Sequence, residues 1–371
     1  MNPLSGLRVV ALEQAVAAPF CSRQLADMGA DVIKIERPDG GDLARGYDGA
    51  LNGLSAYFAW LNRGKRSIAL DVKQDGEVVR RLIARADVFL HNLAPGAVER
   101  LGLGYEELSA MHPRLIWCGI SGYGPDGPYR DKKAYDMLVQ AESGVIGVTG
   151  TEENPAKVGI SIGDISAGLY AYSSILAALI ARERSGRGER IDISMLECLT
   201  EWMTPPLYVW QGTGKIPARA GVRHNMIVPY GAYACGDGSV MFAIQSDREW
   251  RRFCETFAIV NDARFATNTD RLRNREALEA LIEEKFRVLG INEVSRRLEA
   301  AGIATGVVND VPAVAAHPQL AARNRWTRVD SPCGSIAALV PPHNLKDAPS
   351  RMGRVPALGE HTQEILKEIG E

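Results

Sequence analysis

Short apolar runs alternate with amphipathic stretches through the first half of the chain. Leu7-Arg8-Val9-Val10-Ala11-Leu12 has the length and branching of a buried strand. Pro19 opens a stretch in which Cys21, Leu25 and Met28 recur at helical spacing. Four more runs, at 31–35, 66–71, 87–91 and 115–120, read as strands, and Val78, Leu82 and Ile83 mark a helix between two of them. Such an alternation predicts an α/β fold: a large Rossmann-like domain whose parallel sheet carries helices on both faces. Sheets of this kind take ligands in the crevice at the carboxyl ends of their strands. Arg37 and Asn92 directly follow the second and fourth runs, so both are expected to face that crevice.

The pattern then changes. A long helix is predicted from about 166 to 183, closed by Ser185-Gly186-Arg187-Gly188, with a strand at 190–195. The stretch 205–223 is rich in glycine, proline and single aromatics and reads as a linker. Beyond it, 230–244 reads as a hairpin turning at Gly236-Asp237-Gly238, followed by helices near 249–257, 275–288 and 291–301. This is a smaller α+β domain. A second linker covers roughly 317–330, and Pro356-Ala357-Leu358-Gly359-Glu360-His361-Thr362 leads into a terminal helix. The expected organisation is a large domain begun by 1–200, a linker at 201–224, a small domain at 225–315 and a linker at 316–332. Residues 333–371 then return to the large domain.

Composition narrows the function. A net charge of -2 gives no electrostatic reason to expect nucleic acid or an anionic membrane, so any anion site must be built from a few local cations. The first residues have no apolar signal core, and the apolar run near 175–181 is too short to span a bilayer. Cys21, Cys118, Cys198, Cys235, Cys254 and Cys333 form no Cys-x-x-Cys pair and read as reduced thiols of a cytoplasmic protein. The six histidines lack helical metal spacing, so no metal site is expected. No Walker A sequence occurs, no Gly-x-Gly-x-x-Gly follows the first strand, and Gly119-Ile120-Ser121-Gly122 is not a nucleophile elbow.

One carboxylate stands out. Ser161-Ile162-Gly163-Asp164-Ile165-Ser166-Ala167-Gly168 sets Asp164 between a glycine and a run of small residues that opens an apolar helix. Aspartate is a favoured helix N-cap. A carboxylate held ionised at the positive end of a helix is also a usable nucleophile toward a thioester. Spacing alone leaves both readings open. Backbone amides near Gly163 are candidate oxyanion donors.

The Asp164 stretch, Lys133-Ala134-Tyr135-Asp136 and Asp27-Met28-Gly29-Ala30-Asp31-Val32-Ile33-Lys34-Ile35-Glu36-Arg37-Pro38 together resemble the family III CoA-transferases, which also contain the α-methylacyl-CoA racemases. Asn62-Arg63-Gly64-Lys65-Arg66-Ser67, Pro113-Arg114-Leu115-Ile116, Arg182-Glu183-Arg184-Ser185-Gly186-Arg187-Gly188 and Leu358-Gly359-Glu360-His361-Thr362 extend the resemblance over nearly the whole chain. It implies that Asp164 is the nucleophile. It implies that Arg37, Leu70, Lys73, Asn92, Arg100 and Lys133 contact CoA, a substrate rather than a resident cofactor. It also implies an interlocked homodimer of ring-like chains. The racemases carry a histidine where this chain has Tyr135; a phenol, with an ordinary pKa of about 10, is a poor two-way proton shuttle, which favours transfer over racemisation. Asp136 either orients substrate or stays solvated.

Arg219-Ala220-Gly221-Val222-Arg223-His224-Asn225 resembles members acting on short dicarboxylates such as succinate, mesaconate, itaconate or citramalate. Arg223 and His224 either hold a distal carboxylate or tie the linker to the sheet. Two departures from the formyl-CoA branch stand out: Val16 replaces its glutamine, and its glycine run in the smaller domain is absent. Racemisation of a 2-methylacyl-CoA, or a silent CoA-binding subunit, are the alternative readings.

Overall fold

The computed structural model describes residues 1–260 and 262–371. Strands β1 (Arg8–Leu12), β2 (Asp31–Glu36), β3 (Arg66–Ala69), β4 (Val88–His91), β5 (Ile116–Ser121) and β6 (Arg190–Ser194) form one parallel sheet in the order β3-β2-β1-β4-β5-β6. Along β1, Val9 and Ala11 enter one core and Val10 and Leu12 the other. Both faces are therefore covered, which is why the strands read as unbroken apolar runs.

Helices α1 (Ala17–Asp27), α2 (Asp136–Glu142), α3 (Ile162–Ser185) and α4 (Met195–Trp202) contribute to the first core. Gly168 lets α3 approach α1 closely: a Cβ there would stand 2.5 Å from the Ala17 carbonyl oxygen. Over its 24 residues α3 is apolar enough in composition to cross a bilayer. Its Ala167, Ala171, Ile175 and Ala178 are buried in this core, while Leu169 and Ile180 are exposed. The other face is covered by helices Gly76–Ala84, Tyr105–Met111 and Thr362–Ile369. The last of these is anchored to β3, where His361 donates its backbone N–H to the Ser67 carbonyl at 2.9 Å.

The chain divides into two units. The first contains Met1–Val145, Val158–Thr204 and Pro318–Glu371; the second contains Ile146–Lys157 and Pro205–His317. In the second, β7 (Tyr230–Cys235), β8 (Gly238–Ala243) and β9 (Ala304–Gly306) form an antiparallel sheet. Its core packs Phe242, Phe253, Phe257 and Phe286 against the sheet and the helices Asp247–Phe257, Arg275–Phe286 and Ile291–Ala300.

Both stretches read as linkers contain regular structure. The first carries a helix, Thr204–Thr213. Pro205 and Pro206 lie in its first turn, where the missing N–H has no helical partner to lose. The second carries a helix, Pro318–Ala322, and β10 (Trp326–Ser331), which pairs antiparallel with β11 (Gly334–Leu339) inside the first unit.

Candidate active site

The strand order reverses between β1 and β4, and a crevice opens at their carboxyl ends, the usual ligand position in such a sheet. A cleft of about 690 Å³ lies there, lined by Gln14, Arg37, Asp42, Lys73 and Leu101 among others. Arg37 and Lys73 thus stand where CoA contacts were expected. Among the described residues Arg37 reaches only the Gly41 carbonyl, at 3.3 and 3.4 Å, and is otherwise exposed. Lys73, Arg100 and Lys133 are exposed as well.

Two further expected contacts are engaged within the fold. Leu70 is buried in the second core, and its N–H is given to the Glu36 carbonyl at 2.9 Å. Asn92 clamps Gln14 across the strand reversal. Its Oδ1 accepts from the Gln14 N–H at 3.0 Å and its Nδ2 donates to the Gln14 carbonyl at 2.8 Å. With both ends of its amide engaged, Asn92 positions the cleft wall.

Beneath that wall lies a buried ionic network that the sequence did not reveal. Lys34 Nζ meets Asp42 at 2.7 Å and Glu13 at 3.3 Å, and Lys65 Nζ meets Glu13 at 2.7 Å; all four side chains are fully buried. Ser22 donates to Glu13 at 2.7 Å, and Lys65 donates to Asn62 at 2.9 Å. Burial pushes the Glu13 carboxyl up, but the two lysines outweigh it and leave the pKa below the ordinary value. Burial lowers Lys65 to about 8 against the pull of Glu13. Asp42 also accepts from the Ala15 N–H at 2.8 Å. Ala15 has a φ of 62°, a left-handed conformation uncommon for alanine, so the network holds a strained loop beside Gln14.

Asp164 stands at the start of α3, but not as its cap. The helix begins at Ile162, with Ser161 at the N-cap position making no side-chain capping bond. Asp136 supplies the cap from α2: its Oδ1 accepts from the Gly163 N–H at 2.7 Å and the Asp164 N–H at 3.3 Å. Asp136 is partly exposed, and both its carboxylate oxygens accept hydrogen bonds within the fold. The same bonds engage the amides that had been candidate oxyanion donors. Gln140, one turn along α2, donates to Asp136 Oδ2 at 2.7 Å and accepts from the Val158 N–H at 2.9 Å. Together Asp136 and Gln140 fix the segment that carries Asp164.

The Asp164 side chain is half-buried and has no hydrogen-bond partner among the described residues. Burial first, and the negative charge of Asp136 second, push its carboxyl up to about 7. At neutral pH it is divided between acid and carboxylate. Tyr47, which sequence reasoning missed, lies within the electrostatic reach of this group: burial, then Asp42, then Asp164 and Tyr135 raise its phenol. Tyr47 meets Tyr57 edge-on at 5.8 Å, and Tyr57 meets Trp60 at 6.3 Å, forming an aromatic wall. A lone tyrosine after the short turn Leu43–Gly46 offers no periodicity from which to infer this. Tyr135 is 71% exposed at the start of α2.

In the second unit, Arg223 is engaged by Glu279 and by Glu283, the latter at 2.5 Å, and its guanidinium stacks 4.5 Å over Tyr233. His224 accepts from the Met226 N–H at 3.0 Å through Nδ1, and its ring stacks on Tyr230 at 5.1 Å. Both tie the segment to the sheet rather than presenting free charge to a distal carboxylate.

The chain resembles known proteins along its whole length. A family model described as CoA-transferase family III matches residues 4–362. A succinate–glutarate CoA-transferase of Agrobacterium fabrum is 36% identical, covering 99% of this chain and 96% of that protein. A succinyl-CoA:mesaconate CoA-transferase of Haloarcula marismortui is 34% identical over 100% and 97%. The crystal structure of a CaiB/BaiF family protein from Brucella suis superposes with a TM-score of 0.87 at 37% identity, covering 100% of both chains. An α/β sheet with its crevice at the strand reversal, joined to this similarity, makes the assignment: the chain belongs to the family III CoA-transferases and is a CoA-transferase.

Proposed function

We propose that this enzyme moves CoA from an acyl-CoA donor, succinyl-CoA being the first candidate, to a short C4–C5 dicarboxylate through covalent intermediates on Asp164. The observation that carries the reading is the carboxylate itself: no cation among the described residues neutralises it, a second carboxylate repels it, and its pKa stands near 7. A carboxylate of raised basicity is a better nucleophile than an ordinary one. Names of the relatives given above, which pair succinate with glutarate and succinyl-CoA with mesaconate, support a dicarboxylate acceptor.

In the proposed sequence the Asp164 carboxylate attacks the donor thioester carbonyl, forming a mixed anhydride and releasing CoA thiolate. The thiolate attacks the aspartyl carbonyl, freeing the donor acid as its carboxylate and leaving an aspartyl-CoA thioester. The acceptor carboxylate attacks that thioester and expels the thiolate. The thiolate then takes the acceptor's acyl carbonyl and regenerates Asp164. No net proton is consumed. Arg37 and Lys73 would hold the anionic part of CoA in the cleft, and Arg100 and Lys133 are further candidate contacts. Racemisation has no comparable support, because an exposed tyrosine stands where a shuttle base is needed.

The first unit is proposed as the CoA-binding part. An interlocked homodimer in the cytoplasm is proposed as the working form. The dimer is supported by helix Thr204–Thr213, on which Leu207, Tyr208 and Trp210 are exposed in the single chain. The test of the chemistry is trapping. With succinyl-CoA and hydroxylamine or borohydride, peptide mass spectrometry is expected to find Asp164 modified and no other residue. An adduct on a cysteine or serine, or turnover with no enzyme-bound acyl group or CoA, would overturn the mechanism.

A further inference from the structure

Helix α1 carries Phe20, Arg23 and Asp27 at helical spacing. Arg23 Nη1 donates to Asp27 at 2.6 Å, and Arg63 holds both oxygens of the same carboxylate, at 2.5 and 3.1 Å. Asp27, Arg23 and Arg63 are all buried. Two guanidinium groups thus share one carboxylate, and no other acidic group pairs with either among the described residues. A buried positive charge is left without a counter-ion, which costs free energy until an anion supplies one. Arg63 registers the surplus: burial lowers its pKa to about 10, Asp27 opposes that shift, and Arg23 adds to it. Arg63 is still a cation at neutral pH. Arg23 Nε is buried with no partner, and Arg23 Nη2 meets no acceptor among the described residues.

Both arginines line one cavity of about 340 Å³, and every other residue that lines it is apolar. Phe20 and Trp60 meet there with ring centroids 5.5 Å apart, and the Arg23 guanidinium lies 5.1 Å from the Phe20 centroid. Ile336 and Leu339 of β11, followed by Val340, complete the wall. The cavity belongs entirely to the first unit and shares no lining residue with the cleft at the strand reversal. Apolar walls around a few charged donors are the makeup of a small-molecule site, and this volume suits a small ligand. A guanidinium fork short of an acceptor selects a carboxylate.

We propose that this cavity is a second binding site, for a small monocarboxylate with an apolar chain. Its carboxylate supplies the counter-ion that Arg23 and Arg63 lack, and its chain lies against Trp60 and β11. The site does not rest on the CoA-transferase reading.

Calorimetric titration of the full chain with octanoate, and with octanol as the neutral molecule of equal chain length, tests it with and without CoA. Octanoate is expected to saturate one site per chain, and octanol to bind about tenfold more weakly. Leu339→Trp, which fills the cavity, is expected to weaken octanoate by about tenfold. Leu339 is 49% exposed, so its replacement leaves the fold intact. Arg23→Lys keeps a cation beside Asp27 but loses the fork, and is expected to weaken octanoate by about fivefold. If Arg23→Lys does not fold, Leu339→Trp decides. Octanoate binding that is absent in the wild type, matched by octanol, or unchanged in Leu339→Trp overturns the site. Octanoate displaced by CoA would occupy the catalytic cleft, which overturns it as well.

Discussion

Two places in the first unit bury carboxylates, and they treat them in opposite ways. At the carboxyl ends of β1 and β2, Glu13 and Asp42 are each met by a lysine, and every polar neighbour adds a bond. At the start of α3, Asp164 meets no cation and no donor among the described residues, and the charge that acts on it, Asp136, has its own sign. Buried charge is tolerated in a fold when it is paired and hydrogen-bonded. The first cluster follows that rule and fixes a loop. The second departs from it, and the departure leaves a carboxylate whose basicity serves chemistry rather than stability.

The contrast breaks most visibly at Asp164 itself. Asp164→Ala is expected to cut CoA transfer by roughly 10³-fold or more, with CoA affinity held within about threefold, because the proposed cationic contacts lie elsewhere. Steady-state rates and calorimetry check this; a variant keeping more than a few per cent of turnover would sink the assignment. The same carboxyl makes the opposite prediction for stability. Its pKa is about 7 in the folded chain against an ordinary 3.8, so the folded state binds the proton more tightly. Folding stability therefore falls as pH rises from 3.8 through 7, and the whole cost is present above 7. Asp164→Asn should stabilise the protein by on the order of 1–3 kcal/mol at about pH 8 and by nothing near pH 3. Urea unfolding at the two values reads it.

At the paired cluster the sign reverses. Lys65→Met removes one cation from Glu13 and leaves a fully buried carboxylate with Lys34 at 3.3 Å as its remaining cation. Breaking such a pair costs about 3–5 kcal/mol. Thermal and urea unfolding should show that loss, and CoA affinity should fall with it because Asp42 and Ala15 shape the loop beside Gln14. A variant as stable as the wild type would mean that the network does not carry the loop.

The two regions were not equally legible in the sequence. The parallel sheet was, because strands covered on both faces leave continuous apolar runs, and a crevice at their carboxyl ends followed from that fold class. Arg37 could be placed there because it directly follows β2, whereas Lys73 was expected there only through the resemblance. Spacing marked Asp164 as either a helix cap or a nucleophile, and the resemblance chose between them; its surroundings were not legible. Asp136 caps a helix that begins 26 residues later, a tertiary bond that no local spacing encodes. Asn92 and Arg223 illustrate the same limit, since a polar side chain that reads as a ligand contact can be wholly engaged by a distant main chain or by two glutamates. Lys34 and Lys65 sit in runs that fix a strand's position but say nothing of the carboxylates they meet. The helix Thr204–Thr213 was hidden because proline in a first turn resembles proline in a loop.

A smaller change sharpens the comparison without removing either carboxylate. Asp136→Asn keeps an acceptor for the Gly163 and Asp164 amides but removes the charge that repels Asp164. It also sets an amide group against the Gln140 donor. Turnover should fall by about 10- to 100-fold from loss of alignment. The diagnostic reading is the pH profile. Transfer needs the Asp164 carboxylate, so the acid limb of kcat/KM is expected near 7 in the wild type and at lower pH in Asp136→Asn. A purely structural role for Asp136 would lower the rate and leave the limb in place.

The smallest effect is expected at Tyr135, and it separates the two chemistries this family supports. The residue is 71% exposed, and it and Asp164 both act electrostatically on Tyr47. A racemase needs a second base facing the α-carbon, able to take a proton on one face and return it on the other. An exposed phenol cannot hold that proton away from water. Tyr135→Phe should therefore change CoA transfer by no more than about threefold, the scale of one lost exposed hydrogen bond. The wild type should incorporate no deuterium at the α-carbon of a 2-methylacyl-CoA in deuterated water, as mass spectrometry would read. Rapid exchange that disappears in Tyr135→Phe would give the tyrosine a proton-transfer role and make Asp164 one half of an acid–base pair. The raised pKa of Asp164 would then serve proton transfer, and the uncompensated carboxylate would no longer argue for an anhydride.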